Sequence, residues 1–365
     1  MIHAALHHAI TSTAFHSKST CLSLISRCND VATFKQIHAQ LLVSGSGFIQ
    51  DSLIQSKIIR LLANCRDLVY AHAVVHQIHH GPRSFPFNSL IAAYAAGETP
   101  EAAILVYRRM VGGGFSPDKY TFPPLLKSCA RDRRIGECEQ FHGLAFKMGI
   151  GCDLYVQNAL VHAYGGCSDW DGAWKAFDEM PMRDVVSWTG LISGYVRGGL
   201  FFEALKLFPK MDVKPNAATV VSVIVACGRL GDLEHGRGLH GFVLKREFGT
   251  GLVVGNALLD MYAKCQCLDE ARQVLDELPE RDVVSWTSII SGLVQCKRPK
   301  AAVEVFRDMQ VSGVEPDKVT LASVLSACAG LGALDCGRWI HEYIDRRNVE
   351  QDTHIGTALV DMAKV

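Results

Sequence analysis

The side chains in this sequence best suited to chemistry are thiols and imidazoles, thirteen Cys and fifteen His in 365 residues. A zinc site would need them as two close pairs at ligand spacing. Cys265 and Cys267 form a Cys-x-Cys with no second pair to complete it, so no metal and no other cofactor is expected. Instead, Cys28, Cys129, Cys227 and Cys328 recur at intervals of 101, 98 and 101 residues, and His38, His142, His240 and His341 follow them by ten to thirteen. A free Cys behaves as a small apolar group, so these four predict packing between helices, as do Cys65, Cys167 and Cys265 near a turn. The histidines lack carboxylates at fixed spacing, and a structural or surface role is expected. An odd number of Cys without secreted-type spacing predicts reduced thiols inside a cell or organelle. No P-loop, serine-nucleophile elbow or dinucleotide glycine pattern occurs, and no enzyme is predicted.

Lys plus Arg number 37 and Asp plus Glu number 37. That balance argues against a strongly basic nucleic-acid arm and leaves room only for a local basic groove. Apolar runs such as Val223 to Cys227 fall far short of the roughly 20 residues a membrane helix needs, so no membrane partner is expected. Residues 1–29 contain no Asp or Glu, carry Lys18 and Arg27 and hold eight Ser or Thr. This composition predicts an organellar transit segment over 1–17, for a mitochondrion or chloroplast with the mitochondrion preferred.

What must position any functional group is a repeat. Met182 to Trp188 (MRDVVSW) returns as Glu280 to Trp286 (ERDVVSW), 98 residues on, and Asn158-Ala159-Leu160 returns as Asn256-Ala257-Leu258 at the same offset. Each unit of about 100 residues divides into three sub-repeats, for example 252–282, 283–317 and 318–352. Ala271, Val274, Leu275 and Leu278 fall at i, i+3, i+4 and i+7, as do Ala302, Val305, Phe306 and Met309, and Trp286, Ile289, Ile290 and Leu293 make a similar stripe. Each sub-repeat is therefore a helical hairpin. One hairpin cannot bury its apolar stripe alone, so an all-α fold is expected, a right-handed α-solenoid of stacked hairpins over 18–365.

The motifs DVVSWT at 184–189 and 282–287, NALLDMYAKC at 256–265 and SVLSACA at 323–329 resemble the plain, short and long repeats of the plant pentatricopeptide repeat proteins in which those three variants alternate. The resemblance covers about 18–365, with repeats starting at 18, 52, 84, 119, 154, 185, 217, 252, 283 and 318. A final short repeat opens at Thr353 and is interrupted at Val365.

The resemblance implies single-stranded organellar RNA as partner, one base per repeat, read by the fifth and last residues. Asn88 with Asp118, Asn158 with Asp184, and Asn256 with Asp282 would then favour uracil. Thr189 with Asn216 would favour adenine and Thr287 with Asp317 guanine. Pro123, Val221 and Ala322 leave the long repeats nearly silent, and Ser56 with Arg83 departs from the code. The implied target is U-N-U-A-N-U-G-N from the repeat at 84. Phe85, Tyr155, Val186, Val253 and Val284, each second in its repeat, would sandwich the bases by apolar contact. Asp, Asn and Thr at helix starts are also common caps, and capping and base reading can coexist.

Relatives of this kind edit cytidine to uridine, some with a His-x-Glu and Cys-x-x-Cys zinc domain that does not occur here. The expectation is therefore an RNA-binding adaptor for RNA modification, foremost cytidine editing, working with a separate deaminase or other editing factors. The alternative is a helical scaffold that binds protein, which the neutral charge favours.

Overall fold

The structure, a computed structural model, describes residues 17–28, 30–43, 51–64, 67–76, 84–245, 251–347, 349 and 353–363. Residues 1–16 of the expected transit segment, Cys65 and Arg83 lie outside the described residues. Among the described residues there are 21 α-helices, one three-residue 3-10 turn and no strand. In chain order the helices are α1 (Lys18–Arg27), α2 (Val31–Val43), α3 (Ser52–Asn64), α4 (Leu68–His76), α5 (Phe85–Ala96), α6 (Ala102–Gly112) and α7 (Phe122–Asp132). They continue as α8 (Ile135–Lys147), α9 (Leu154–Gly166), α10 (Trp170–Asp178), α11 (Val185–Arg197), α12 (Phe201–Leu207), α13 (Ala217–Leu230) and α14 (Leu233–Lys245). The last are α15 (Leu252–Lys264), α16 (Leu268–Glu277), α17 (Val283–Gln295), α18 (Pro299–Val311), α19 (Lys318–Leu331), α20 (Leu334–Arg346) and α21 (Thr353–Ala363). None of these helices is long and apolar enough to cross a membrane.

Odd-numbered helices open the repeats and even-numbered helices close them. The chain divides into two compact units, residues 1–191 and 192–365. In the first, α7 packs chiefly on α9, and α5 on α3, α6 and α7. In the second, α13, α15, α17 and α19 each pack on the next odd helix, ending with α19 on α21. Each unit is thus a stack of hairpins in which every apolar stripe is covered by a neighbour.

The cores follow the predicted stripes. Trp286, Ile289, Ile290 and Leu293 of α17 and Ala302, Val305, Phe306 and Met309 of α18 are buried. Odd helices approach so closely that a Cβ on Gly292 would stand 2.6 Å from the Ala263 Cβ. Cys129, Cys227 and Cys328 are fully buried between helices as small apolar groups, and burial pushes each thiol up to about 12. They are packing residues, not nucleophiles.

The recurring histidines gain a partner that spacing alone did not reveal. The Nδ1 atoms of His38, His142 and His240 lie 2.7, 2.9 and 3.0 Å from the hydroxyls of Tyr70, Tyr164 and Tyr262. Burial disfavours the imidazolium, so all three are held below the ordinary His range. His341, the fourth of the series, is exposed, with its Nε2 3.8 Å from Asp345.

Candidate nucleic-acid interface

The last residue of a repeat caps the helix that opens the next one. Asp282 accepts from the Ser285 N–H at 2.9 Å, and the Ser285 hydroxyl in return accepts from the Asp282 N–H at 3.3 Å, a reciprocal cap on α17. Asp184 and Ser187 repeat this on α11, at 2.8 and 3.2 Å. Asn216 accepts from the Thr219 N–H at 2.9 Å and Asp317 from the Thr320 N–H at 2.8 Å. The capping role considered for these residues is thus present.

The same carboxylates also receive the fifth residue. Asn256 Nδ2 donates to Asp282 Oδ1 at 3.1 Å, Asn158 Nδ2 to Asp184 Oδ1 at 3.3 Å, and Asn88 Nδ2 to Asp118 Oδ1 at 2.9 Å. A third group completes each set. Ser285 Oγ donates to Asn256 Oδ1 at 2.6 Å, Ser187 Oγ to Asn158 Oδ1 at 2.7 Å, and Thr121 Oγ1 to Asn88 Oδ1 at 2.7 Å. Ser285, Ser187 and Thr121 are buried. The hydroxyl fixes which way the amide points, and the amide holds the carboxylate, so the pair is a preorganised unit rather than two mobile side chains.

Thr287 is placed differently. Its hydroxyl donates to the Val283 carbonyl at 2.7 Å, lies 2.5 Å from Thr320 Oγ1, and reaches Asp317 Oδ1 only at 3.5 Å. The structure therefore brings four of the five expected pairs together, one of them at the limit of hydrogen bonding. Thr189 belongs to the first unit, donating to the Val185 carbonyl at 2.6 Å, and Asn216 belongs to the second.

Charge at the pairs follows from the same bonds. Burial pushes the Asp184 carboxyl up, but the Ser187 N–H and hydroxyl and the Asn158 amide outweigh it and hold the group below the usual carboxylate range. Asp282 is held low in the same way by Ser285 and Asn256. Both are anions near neutral pH, and in each set the bonds described here end on one oxygen, Oδ1. At Asp118 the other oxygen, Oδ2, accepts from the Ser84 hydroxyl.

The expected sandwiching residues stand out of the surface. Phe85, Tyr155, Val186, Val253 and Val284 are 43, 58, 54, 69 and 50% exposed. Tyr155, Val186, Asn158, Asp184, Pro123 and Lys127 line one groove of about 700 Å³. Apolar walls and a fixed amide–carboxylate pair are what an unstacked base needs for its faces and its edge.

Spacing alone missed two sets of residues. The buried hydroxyls are visible afterwards as a pattern, since Asp118, Asp184, Asn216, Asp282 and Asp317 are each followed three residues later by Ser or Thr. Tyr120 and Val319, second residues of long repeats, are as exposed as those of plain and short repeats. Among the described residues no three His, Cys, Asp or Glu are grouped as a metal ion would require.

Family models describe the same units: PPR repeat at 85–115, 158–185, 186–214 and 256–283, and PPR repeat family at 281–330. The chain belongs to the PPR repeat family. A pentatricopeptide repeat-containing protein of Arabidopsis thaliana is 50% identical over 347 residues, 94% of this chain and 62% of that protein. Two more from the same plant, one named mitochondrial and one chloroplastic, are 34% and 36% identical over 93% of this chain and 55% and 51% of their own lengths. The chain therefore spans about half to three fifths of these relatives. The crystal structure of the pentatricopeptide repeat protein PPR10 in complex with an 18-nt psaJ RNA element matches at TM-score 0.70 and 16% identity, over 98% of this chain and 53% of that one. At that identity the likeness establishes the PPR fold.

Proposed function

We propose that this PPR chain binds single-stranded RNA, one base per repeat, and acts as an adaptor that places an organellar transcript for cytidine-to-uridine editing while a separate deaminase or other editing factor performs the chemistry. The observation that carries the reading is the groove that Tyr155 and Val186 line together with the hydroxyl-fixed Asn158–Asp184 pair. The same triad recurs at Asn256, Asp282 and Ser285 and at Asn88, Asp118 and Thr121. A cap alone needs the acid and the hydroxyl; it does not need the Asn from the start of the acid's own repeat aimed at the acid. Support for an organelle comes from relatives named mitochondrial or chloroplastic. The mitochondrion is the first place to look.

The test is the affinity of the purified chain for U-N-U-A-N-U-G-N against a scrambled RNA at two salt concentrations. Preference for the first, falling with salt, is the expected result. Thr189→Asn with Asn216→Asp should then move the choice at the fourth nucleotide from adenine to uracil by about tenfold. The neutral net charge favours a protein-binding scaffold instead; absence of binding to either RNA would leave that reading standing.

A further inference from the structure

Three Asn–Asp pairs share one register, yet the pair in the repeat at 84 has a neighbour that the other two lack. Ser84 opens that repeat, and its hydroxyl donates to Asp118 Oδ2, the oxygen left over by Asn88 Nδ2, which donates to Oδ1 at 2.9 Å. A Ser before a helix ordinarily caps it. Here the Ser84 side chain makes no cap bond to α5 and stands 3.5 Å from Asn88 Nδ2 instead, so it reaches both members of the pair. The repeats at 154 and 252 open on Leu154 and Leu252, which have no hydroxyl, and the Asn and Ser side chains there both meet Asp184 and Asp282 at Oδ1. Exposure differs in the same sense: Asn88 is buried, only 6% exposed, whereas Asn158 and Asn256 are half-buried.

We propose that Ser84 closes the Asn88–Asp118 pair to base edges, so that the repeat at 84 selects no base at the first nucleotide and uracil selection begins at Asn158 and Asp184. The inference rests on the RNA-binding reading above and changes what one of its three uracil pairs does. A carboxylate accepts hydrogen bonds and donates none, so an open oxygen suits the ring N–H of uracil and disfavours the bare ring nitrogen of cytosine. At Asp118 a base N–H must displace a charge-assisted bond already made within the protein. The amide is held in the same way. Thr121 Oγ1 occupies Asn88 Oδ1 at 2.7 Å and Ser84 stands beside Nδ2, so neither end of the Asn88 side chain is left open. Displacing these bonds costs what a base edge would return, and uracil and cytosine then bind alike.

The test uses the full chain and octamers that carry uracil or cytosine at the first nucleotide or at the third, with all others held constant. The unaltered chain should bind the two first-nucleotide octamers within about twofold of each other and the two third-nucleotide octamers about tenfold apart. Ser84→Ala should bring a several-fold uracil preference to the first nucleotide and leave the third unchanged. Ser84→Leu, with the side chain that opens the repeats at 154 and 252, should do the same, whereas Ser84→Thr keeps the hydroxyl and should keep the first nucleotide unselected. Selection at the third nucleotide shows in each variant that the array is folded. Uracil selected at the first nucleotide by the unaltered chain as strongly as at the third overturns the closure and leaves the proposed function intact. So does a first nucleotide that stays unselected in both Ser84→Ala and Ser84→Leu. Failure of the unaltered chain to bind any octamer overturns both.

Discussion

Along the first unit the exposed second residues include Leu53, Phe85, Tyr120, Tyr155 and Val186; along the second they include Ala218, Val253, Val284, Val319 and His354, so the phenyl and phenol rings lie in the first. The grooves beside them differ in the same sense. Arg60 and Lys127 line the first with its three aromatic rings, whereas a groove of about 530 Å³ in the second is lined by Ser291, Lys318, Val319, Ser323, His354 and Asp361. Ser291 and Ser323 hydrogen-bond to one another there at 2.9 Å. Beneath these surfaces the framework is common to both units: Asn–Asp pairs fixed by a buried hydroxyl, buried Cys between helices, and His–Tyr contacts. On the proposed RNA-binding reading, the difference would let the buried polar network set where a base edge is read and the exposed row set how strongly its faces are held. On that reading the first unit would contribute more to affinity and the second more nearly to reading alone.

The largest effect that would test the comparison is on stability. Phe122 in the first unit and Phe306 in the second are essentially fully buried, and truncating either to Ala should cost about 3–5 kcal/mol. Because stacked repeats couple mainly to their neighbours, amide exchange after Phe122→Ala should accelerate in the first unit far more than in the second, and the reverse after Phe306→Ala. Equal loss of protection in both would show one cooperative body and remove the basis for comparing two.

A smaller effect follows from moving the aromatic row. Val253→Tyr with Val284→Tyr should raise RNA affinity about tenfold, with weaker discrimination at the sixth nucleotide, as stacking adds binding that every base shares. Unchanged affinity in a titration would place the advantage of the first unit elsewhere, in its cations.

The smallest effect is on pH. His38, His142 and His240 are held below the ordinary value of 6.5 when folded. The unfolded chain therefore takes up protons first as pH falls, so stability is intact above 6.5 and declines as pH drops through 6.5 toward the folded values. Two of the three His–Tyr contacts lie in the first unit, so urea unfolding at pH 7.5 and pH 5.5 should weaken the first unit more than the second. Tyr164→Phe tests whether the hydroxyl takes part: it should change the midpoint near pH 7.5 and leave the direction of the pH trend, which burial sets.

Much of this was legible without coordinates, because the 98-residue recurrence and the 3.6-residue stripes leave helical hairpins as the only economical solution. The positions of Asn158, Asp184, Asn256 and Asp282 were legible for the same reason: a fixed register carries each to an equivalent place in its repeat. The roles of Ser187, Ser285 and Thr121 were not, since a Ser or Thr three residues into a helix start reads first as a cap partner, and its second bond goes to an Asn 29 to 33 residues earlier in the chain. The His–Tyr contacts were hidden likewise, with partners 22 or 32 residues apart on different helices.

By itself the sequence determined the repeat unit, the helical class, the apolar stripes and the register of candidate reading positions, all of which depend on spacing along one chain. Only the tertiary structure decided that Asn and Asp of a repeat meet as a single unit locked by a hydroxyl from the next, and that Tyr120 stands exposed beside Pro123 and Lys127 in a groove with Tyr155. The physical reason is that hydrogen-bond partnership and solvent exposure are properties of neighbouring hairpins, and only packing makes residues distant in sequence into neighbours.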